Sequence, residues 1–320
     1  MMNQQWAGIW ARRFRGDASG IVIQWRHLVR LLVVAAMMAG GTPRATAQIN
    51  TLGPITNWVP ILWGDPDPSA DQQTGSSEAD IVGTTTQASF YSLFHDGGTT
   101  SLSDDLWGFR LRLAAEKNPP GYSHVAFVGL DANLDGRLDL FLGVNNQGSS
   151  PHLGIWLPTP GTNLNISPNT LSINSTPLFS YTQSVSNYSW LVVDANLDPV
   201  GPDYNIDGAS GSGEQDRMLT FVLPFNDVAN AMAAAGITNF SADTAIHYVV
   251  GTSTQINSIN QDLNGVDGGI NSTATWDALN AFSQTYTVNG IAVPEPQLSG
   301  LLGLVAAGWL LRRRPQKRRA

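Results

Sequence analysis

The stretch Trp107-Gly-Phe-Arg-Leu-Arg-Leu-Ala114 is the clearest indicator of the fold class. Its large apolar residues occupy every second position, with glycine, arginine and alanine between and after them. Because successive side chains of a β-strand point to opposite faces, this alternation predicts a half-buried strand. We expect its apolar side chains to face a core, and the side chains of Arg110 and Arg112 to point outward.

Similar short stretches recur through the middle of the chain, separated by turns rich in Gly, Asn, Asp and Pro. Strands are predicted at 88–94, 106–114, 124–130, 138–144, 154–157, 171–173, 178–182, 188–193, 218–223, 245–250 and 284–288. One helix is predicted over 228–235, capped by Asn226 or Asp227 and ended by Gly236, and a second short helix over 275–281. This spacing predicts a mostly β fold, a single β-sandwich of the carbohydrate-binding-module-like or jelly-roll type.

Charge is distributed unevenly along the 320 residues. The chain has 17 Lys and Arg, 25 Asp and Glu, and no Cys, which excludes a disulfide scaffold and a thiolate metal site. The middle segment, 48–293, keeps 5 basic and 23 acidic residues, a net charge of −18. Such a charge argues against nucleic acid or anionic lipid as a partner and favours cations. We predict that 48–293 is one domain.

The N-terminal residues 1–47 have the pattern of an export signal. Arg26 and Arg30 form a basic flank, and the apolar run 31–39 is too short to span a bilayer comfortably. Ala45-Thr-Ala47 then provides a small-x-small cleavage site. We therefore expect Gln48 to be the first residue of the mature protein.

The C-terminal residues 294–320 have three parts in order: Pro294-Glu-Pro296, a short apolar segment at 298–311 and a basic tail at 312–319. This pattern resembles the PEP-CTERM sorting signal of Gram-negative bacteria. The resemblance implies that Pro294, Glu295 and Pro296 are recognised by an exosortase. It also implies transient anchoring in the inner membrane through 298–311 with a cytoplasmic C-terminus. The expected location is the cell surface or the extracellular matrix.

The stretch Asp131-x-Asn133-x-Asp135-Gly136-x-x-Asp139 has oxygen ligands at positions 1, 3, 5 and 9 of a loop. Ca²⁺ takes six to eight oxygen ligands, and Gly at position 6 permits the sharp turn that such a loop needs. The backbone carbonyl of Arg137 would supply position 7. The alternative is a solvent-exposed hairpin turn, rich in Asp, Asn and Gly, that binds no ion.

An EF-hand is excluded for this loop because position 12 is Leu142, within an alternating strand, where an EF-hand has a bidentate Glu. The stretch from Leu130 to Val144 instead resembles the calcium loops of FG-GAP and related β-proteins. That resemblance implies a calcium site on a hairpin. Its implied ligands are Asp131, Asn133, Asp135 and Asp139, with Arg137 through its carbonyl.

The pentapeptide Asp131-Ala-Asn-Leu-Asp135 recurs letter for letter at Asp194–Asp198, but Pro199 replaces the glycine. The following residues are also acidic, so this region is either one long loop holding one or two ions or a solvated insertion. Its candidate ligands are Asp194, Asn196, Asp198, Asp203, Asn205 and Asp207, with Glu214 or Asp216 as a further candidate. A third acidic stretch, 260–269, lacks the ligand spacing and is interpreted as a turn-rich loop, with a metal site as the less favoured alternative.

Signals for catalysis are weak. No His-x-x-x-His or His-x-His pair is present, so no zinc hydrolase ligand set is visible. The acid pairs Asp104-Asp105 and Glu78-x-Asp80 permit a glycoside hydrolase, but acids in so acidic a chain more often serve solubility.

Three aromatic residues, Trp156, Tyr188 and Trp190, are candidates for stacking on sugar rings, although such residues more often belong to a core. The sequence thus predicts a non-catalytic, calcium-stabilised exported β-domain associated with matrix or exopolysaccharide. A glycoside hydrolase and a purely structural scaffold are the alternatives.

Overall fold

The computed structural model describes residues 57–74, 76–116, 120–160, 171–198, 203–206 and 215–294. The predicted export signal, Glu295, Pro296 and the segment 298–319 lie outside them. Within the described part, no helix is long and apolar enough to cross a membrane. The strands are β1 Val59–Pro60, β2 Phe90–His95, β3 Leu106–Leu113, β4 Val125–Asp131, β5 Leu140–Asn145, β6 His152–Trp156, β7 Phe179–Thr182, β8 Tyr188–Val192, β9 Arg217–Pro224, β10 Ala245–Ser253, β11 Asp262–Leu263 and β12 Tyr286–Thr287, and the α-helix is α1 Phe225–Ala235.

The strands form two antiparallel sheets, as the mostly β prediction requires. One sheet has the order β1-β2-β3-β9-β8, and the other has the order β11-β10-β4-β5-β6-β7, with β12 paired to β10. The largest apolar cluster combines Phe109 of the first sheet with Val128 and Leu142 of the second. The sheets therefore share a core, which is consistent with a β-sandwich.

The predicted helix is confirmed as α1, which ends at Gly236, but its predicted cap is wrong. Pro224 precedes the helix, and Asn226 and Asp227 lie within its first turn. Gly236 has φ 104°, a left-handed conformation that glycine adopts without strain and that commonly ends a helix. The second predicted helix is reduced to one 3₁₀ turn, Asp277–Leu279. The predicted strand at 171–173 contributes only an isolated bridge between Ile173 and Pro158.

The expectation that the arginines of β3 point to solvent is wrong. Arg112 is 0% exposed and Arg110 is 5% exposed, because β3 is covered on both faces. A second apolar layer lies on the outer face of this sheet, where Trp58 and Val193, both outside the strands, cluster with Met218 of β9. The guanidinium carbon of Arg110 lies 4.0 Å from the centre of the Trp58 ring, a cation–π contact.

Candidate metal sites

The loop that contains Asp131, Asn133, Asp135 and Asp139 connects two paired strands, as predicted. Strand β4 ends at Asp131, and β5 begins at Leu140, which pairs with Leu130. The N–H of Asp139 donates to the carbonyl of Leu130 at 2.7 Å, so the two ends of the loop are held together by the sheet. The hydrogen bonds between β4 and β5 thus fix both ends of the nine-residue stretch 131–139, which has the spacing of calcium ligands.

The side-chain oxygens of this loop accept hydrogen bonds from its own backbone. The carboxylate of Asp131 accepts from the N–H groups of Asp135 at 3.2 Å and Gly136 at 2.9 Å. Asn133 accepts from the N–H of Asp135 at 2.9 Å, and Asp135 accepts from that of Arg137 at 3.0 Å. Gly136 has φ 79°, so its lack of a side chain is what lets the loop close.

Burial and mutual repulsion act on the carboxylates of the loop. Burial, followed by the charges of Asp131 and Asp135, raises the pKa of Asp139 to about 6. Burial also raises the pKa of Asp131, against the opposing effect of His247, whose Nδ1 lies 3.9 Å from a carboxylate oxygen. A bound cation would favour the charged form of both groups.

The loop carboxylates are near one another without forming a tight triad. No choice of one carboxylate oxygen from each of Asp131, Asp135 and Asp139 places all three within 4.8 Å of one another. In calcium loops of this spacing, position 9 often contributes through a water molecule, and position 7 contributes a carbonyl. Calcium binding at this loop therefore stays a prediction, with Asn133 and the Arg137 carbonyl as the further predicted ligands.

The second copy of the pentapeptide has a different environment. Asp194 is exposed and accepts hydrogen bonds from the N–H groups of Asn196 and Leu197, which lower its pKa. Asp198 is buried, and its carboxylate lies 2.5 Å from Nη1 of Arg112. Asp198 therefore already has a protein cation beside it.

Arg112 also orders the residues after this copy. Its Nε lies 2.6 Å from Asp216, and its Nη2 donates to the backbone carbonyl of Asp203 at 2.9 Å. The Asp203 side chain accepts from the N–H of Asn205 at 3.0 Å. Asp207 lies outside the described residues. This acidic region is therefore organised around a buried arginine, a partner that ligand spacing alone did not reveal.

The three candidate stacking residues differ in exposure. Trp156 is fully buried, 5.7 Å from Phe127 between ring centres, so neither face of its ring is open to a sugar. Tyr188 and Trp190 are half-buried on β8, at one edge of the first sheet. The Trp190 ring lies 5.3 Å from that of Tyr122. Any stacking surface therefore depends on Tyr188 and Trp190.

A group of acids that the sequence analysis did not select comes together elsewhere. One carboxylate oxygen each from Asp67, Asp71 and Asp262 lies within 4.8 Å of the others. Asp262 falls in the stretch 260–269, whose ligand spacing was irregular. No sequence signal joins the three acids, because Asp67 and Asp71 lie in the segment 64–74 and Asp262 follows β10.

No protein-family model, curated protein or solved structure matches the chain. Of the three predicted sorting residues, Pro294 is described and exposed, and Glu295 and Pro296 lie outside the described residues. The chemistry of the molecule must therefore be argued from its own residues.

Proposed function

We propose that this chain is an exosortase-sorted protein of the cell surface or extracellular matrix. Its body would be a non-catalytic β-sandwich, carbohydrate-binding-module-like or jelly-roll in type, stabilised by Ca²⁺ and associated with exopolysaccharide. The sequence of the two ends supports export and sorting. The acidic body, with a net charge of −18 over 48–293, supports a cation as its stabilising partner.

The observation that best supports calcium is that the loop brings the carboxylates of Asp131 and Asp135 close enough to that of Asp139 to raise its pKa. Asp131, Asn133 and Asp135 all point their oxygens at backbone N–H groups inside one loop, where Asp139 also contacts the N–H of Ala132 at 2.8 Å. Four oxygen-bearing side chains on nine residues form a hard ligand set. The ion would link the ends of β4 and β5.

The calcium proposal is tested by measuring bound calcium and the thermal midpoint of the purified protein, with and without a chelator. We expect calcium to raise the midpoint and Asp135→Asn to remove one bound ion. Asp135 is exposed, so its substitution should leave the fold intact. The matched control is Asp277→Asn, another exposed acid outside the loop. The proposal would be contradicted if the wild type and Asp135→Asn bind equal amounts of calcium and the chelator changes their thermal midpoints equally.

A glycan-binding role is supported by the half-buried Tyr188 and Trp190 on the edge strand β8. Both side chains pack against the main core and are only partly buried, so a sugar ring would have to contact the part of each that remains accessible. On a panel of bacterial exopolysaccharides, we expect binding that Trp190→Ala weakens at least about tenfold. The control is Leu191→Ala, the exposed neighbour whose side chain points to the other face of β8.

The same panel separates this proposal from its alternatives. Release of reducing sugar would indicate the hydrolase, and absence of binding to every polysaccharide would indicate a scaffold without a glycan ligand. Neither result would affect the calcium measurement, because the glycan and calcium experiments involve different residues.

A further inference from the structure

The carboxylates of Asp67, Asp71 and Asp262 meet where the segment 64–74 packs against the turn after β11. Each is oriented by backbone N–H groups. Gly265 donates to Asp67, Gly268 donates to Asp71 at 3.1 Å, and Ile81 and Leu263 donate to Asp262. The three side chains are thus held in place by the backbone of β11, of the residues that follow it and of Ile81.

Two oxygens of this group have no hydrogen-bond partner. Asp67 is 4% exposed, and its Oδ2 is buried and unpartnered, while Oδ1 accepts from Gly265. Oδ1 of Asp71 is likewise buried and unpartnered. Asp262 and Asp71 are the charges that act most strongly on Asp67, so its carboxylate faces them. Buried carboxylate oxygens without a hydrogen-bond partner require an explanation, and a bound cation is one.

The charge of the group is also unbalanced. Burial raises the pKa of Asp67 and Asp262 well above the ordinary value, and the neighbouring carboxylates, including Asp80, raise it further. Among the ion pairs of the described residues, none joins Asp67, Asp71 or Asp262 to a basic side chain. Two buried carboxylates beside a half-buried third are stable only if the group binds protons or a cation.

We propose that Asp67, Asp71 and Asp262 form a second cation site, which binds a hard divalent ion of the Ca²⁺ or Mg²⁺ class. All the ligand atoms are carboxylate oxygens, the donors that such ions prefer, and no thiolate or imidazole belongs to the group. The ion would fasten the segment 64–74 to the turn after β11. This inference does not depend on calcium binding at 131–139.

The experiment compares Asp67→Asn with the wild type. After dialysis against Ca²⁺ or Mg²⁺, the ions bound per chain are counted by elemental analysis, and thermal midpoints are measured with and without a chelator. Asp67→Asn should bind one ion fewer and lose part of the chelator shift. In chelator it should be at least as stable as the wild type, because it removes one of three repelling charges. The control Asp65→Asn changes an exposed acid of the same segment and should behave as the wild type.

Equal ion counts and equal chelator shifts in the wild type and Asp67→Asn, with both metals, would overturn the proposal and leave shared protons as the explanation. If Asp67→Asn does not fold, Asp71→Asn, at a half-buried position, is judged by the same two criteria. The double variant Asp67→Asn/Asp135→Asn separates the two sites. If the loop at 131–139 binds no ion, only the Asp135→Asn substitution leaves the ion count unchanged. If Asp67, Asp71 and Asp262 bind no ion, only the Asp67→Asn substitution leaves it unchanged.

Discussion

Arg112 lies fully buried in β3 between two carboxylates, those of Asp198 and Asp216. A buried ion pair contributes little over an apolar replacement of the whole group, but removing one partner leaves uncompensated charge. The arginine also donates to the carbonyl of Asp203, so one side chain links three described residues of the stretch after β8.

We therefore expect Arg112→Met to lower the free energy of unfolding by about 3–5 kcal/mol, because two buried carboxylates lose their arginine. Urea unfolding of the purified protein measures the change. The control Arg137→Met removes an exposed arginine and should change stability by less than about 0.5 kcal/mol. Similar losses in both variants would show that the position of Arg112 gives it no special role.

A pH dependence follows from Asp139, whose pKa burial raises from 3.8 to about 6. A carboxyl with a higher pKa in the folded state stabilises the fold below the unfolded pKa, and that contribution is lost as the pH rises through the folded pKa. The chelated protein should therefore become less stable from about pH 4 to about pH 6, and Asp139→Asn should show a smaller loss. Thermal midpoints measured across this pH range check both expectations. A midpoint that rises with pH in both the wild type and Asp139→Asn would contradict the raised pKa of Asp139.

At the scale of elements, one pentapeptide adopts two structures. In the first copy, Leu134 has φ 58° and Gly136 closes a loop between β4 and β5. In the second copy, the N–H groups of Leu197 and Asp198 both donate to the carbonyl of Asp194, as in a helical turn. The next residue explains the difference, because Pro199 has a fixed negative φ and cannot replace the glycine of the first loop.

Close packing of β4 against β5 depends on Gly143. A Cβ atom at this position would lie 2.0 Å from the carbonyl oxygen of Ala126, which is backbone and cannot move aside alone. We expect Gly143→Ala to destabilise the fold by about 1–3 kcal/mol in chemical unfolding. Gly64→Ala is the matched control, because a Cβ there meets no atom within 4 Å. If the two variants are equally stable, the close approach of these strands does not limit stability.

At the scale of the whole molecule, charge is the dominant feature. The segment 48–293 has only five basic residues, and Arg110 and Arg112 are buried within the first sheet. A chain with so few internal cations can neutralise buried acids through bound ions. The same argument applies to both proposed cation sites, the loop at 131–139 and the group of Asp67, Asp71 and Asp262, although they lie on different segments.

Sorting is tested on the full chain in a bacterium that has an exosortase. The wild type should be found outside the cell in a form shorter than the exported precursor, whereas Glu295→Ala should stay at precursor length in the membrane fraction. Immunoblots of cell fractions measure both, and Gln297→Ala, just after the Pro-Glu-Pro motif, is the control. Identical processing of all three proteins would contradict the role assigned to Glu295.

Short-range patterns were sufficient to predict most of the strands, the body of α1 and the loop at 131–139, because alternation, helix periodicity and ligand spacing are properties of neighbouring residues. They missed the two-residue strands β1 and β11 and predicted a strand at 171–173 where the structure has only a bridge. They could not predict the Asp67 site, since Asp67 and Gly265, which are in direct contact, are 198 positions apart. They also misplaced Arg110 and Arg112, because a polar residue in an alternating strand ordinarily faces water. Only the tertiary structure brings a second layer and the acids of distant segments onto β3, and only packing of this kind determines which carboxylates are buried, paired with arginine or left facing one another.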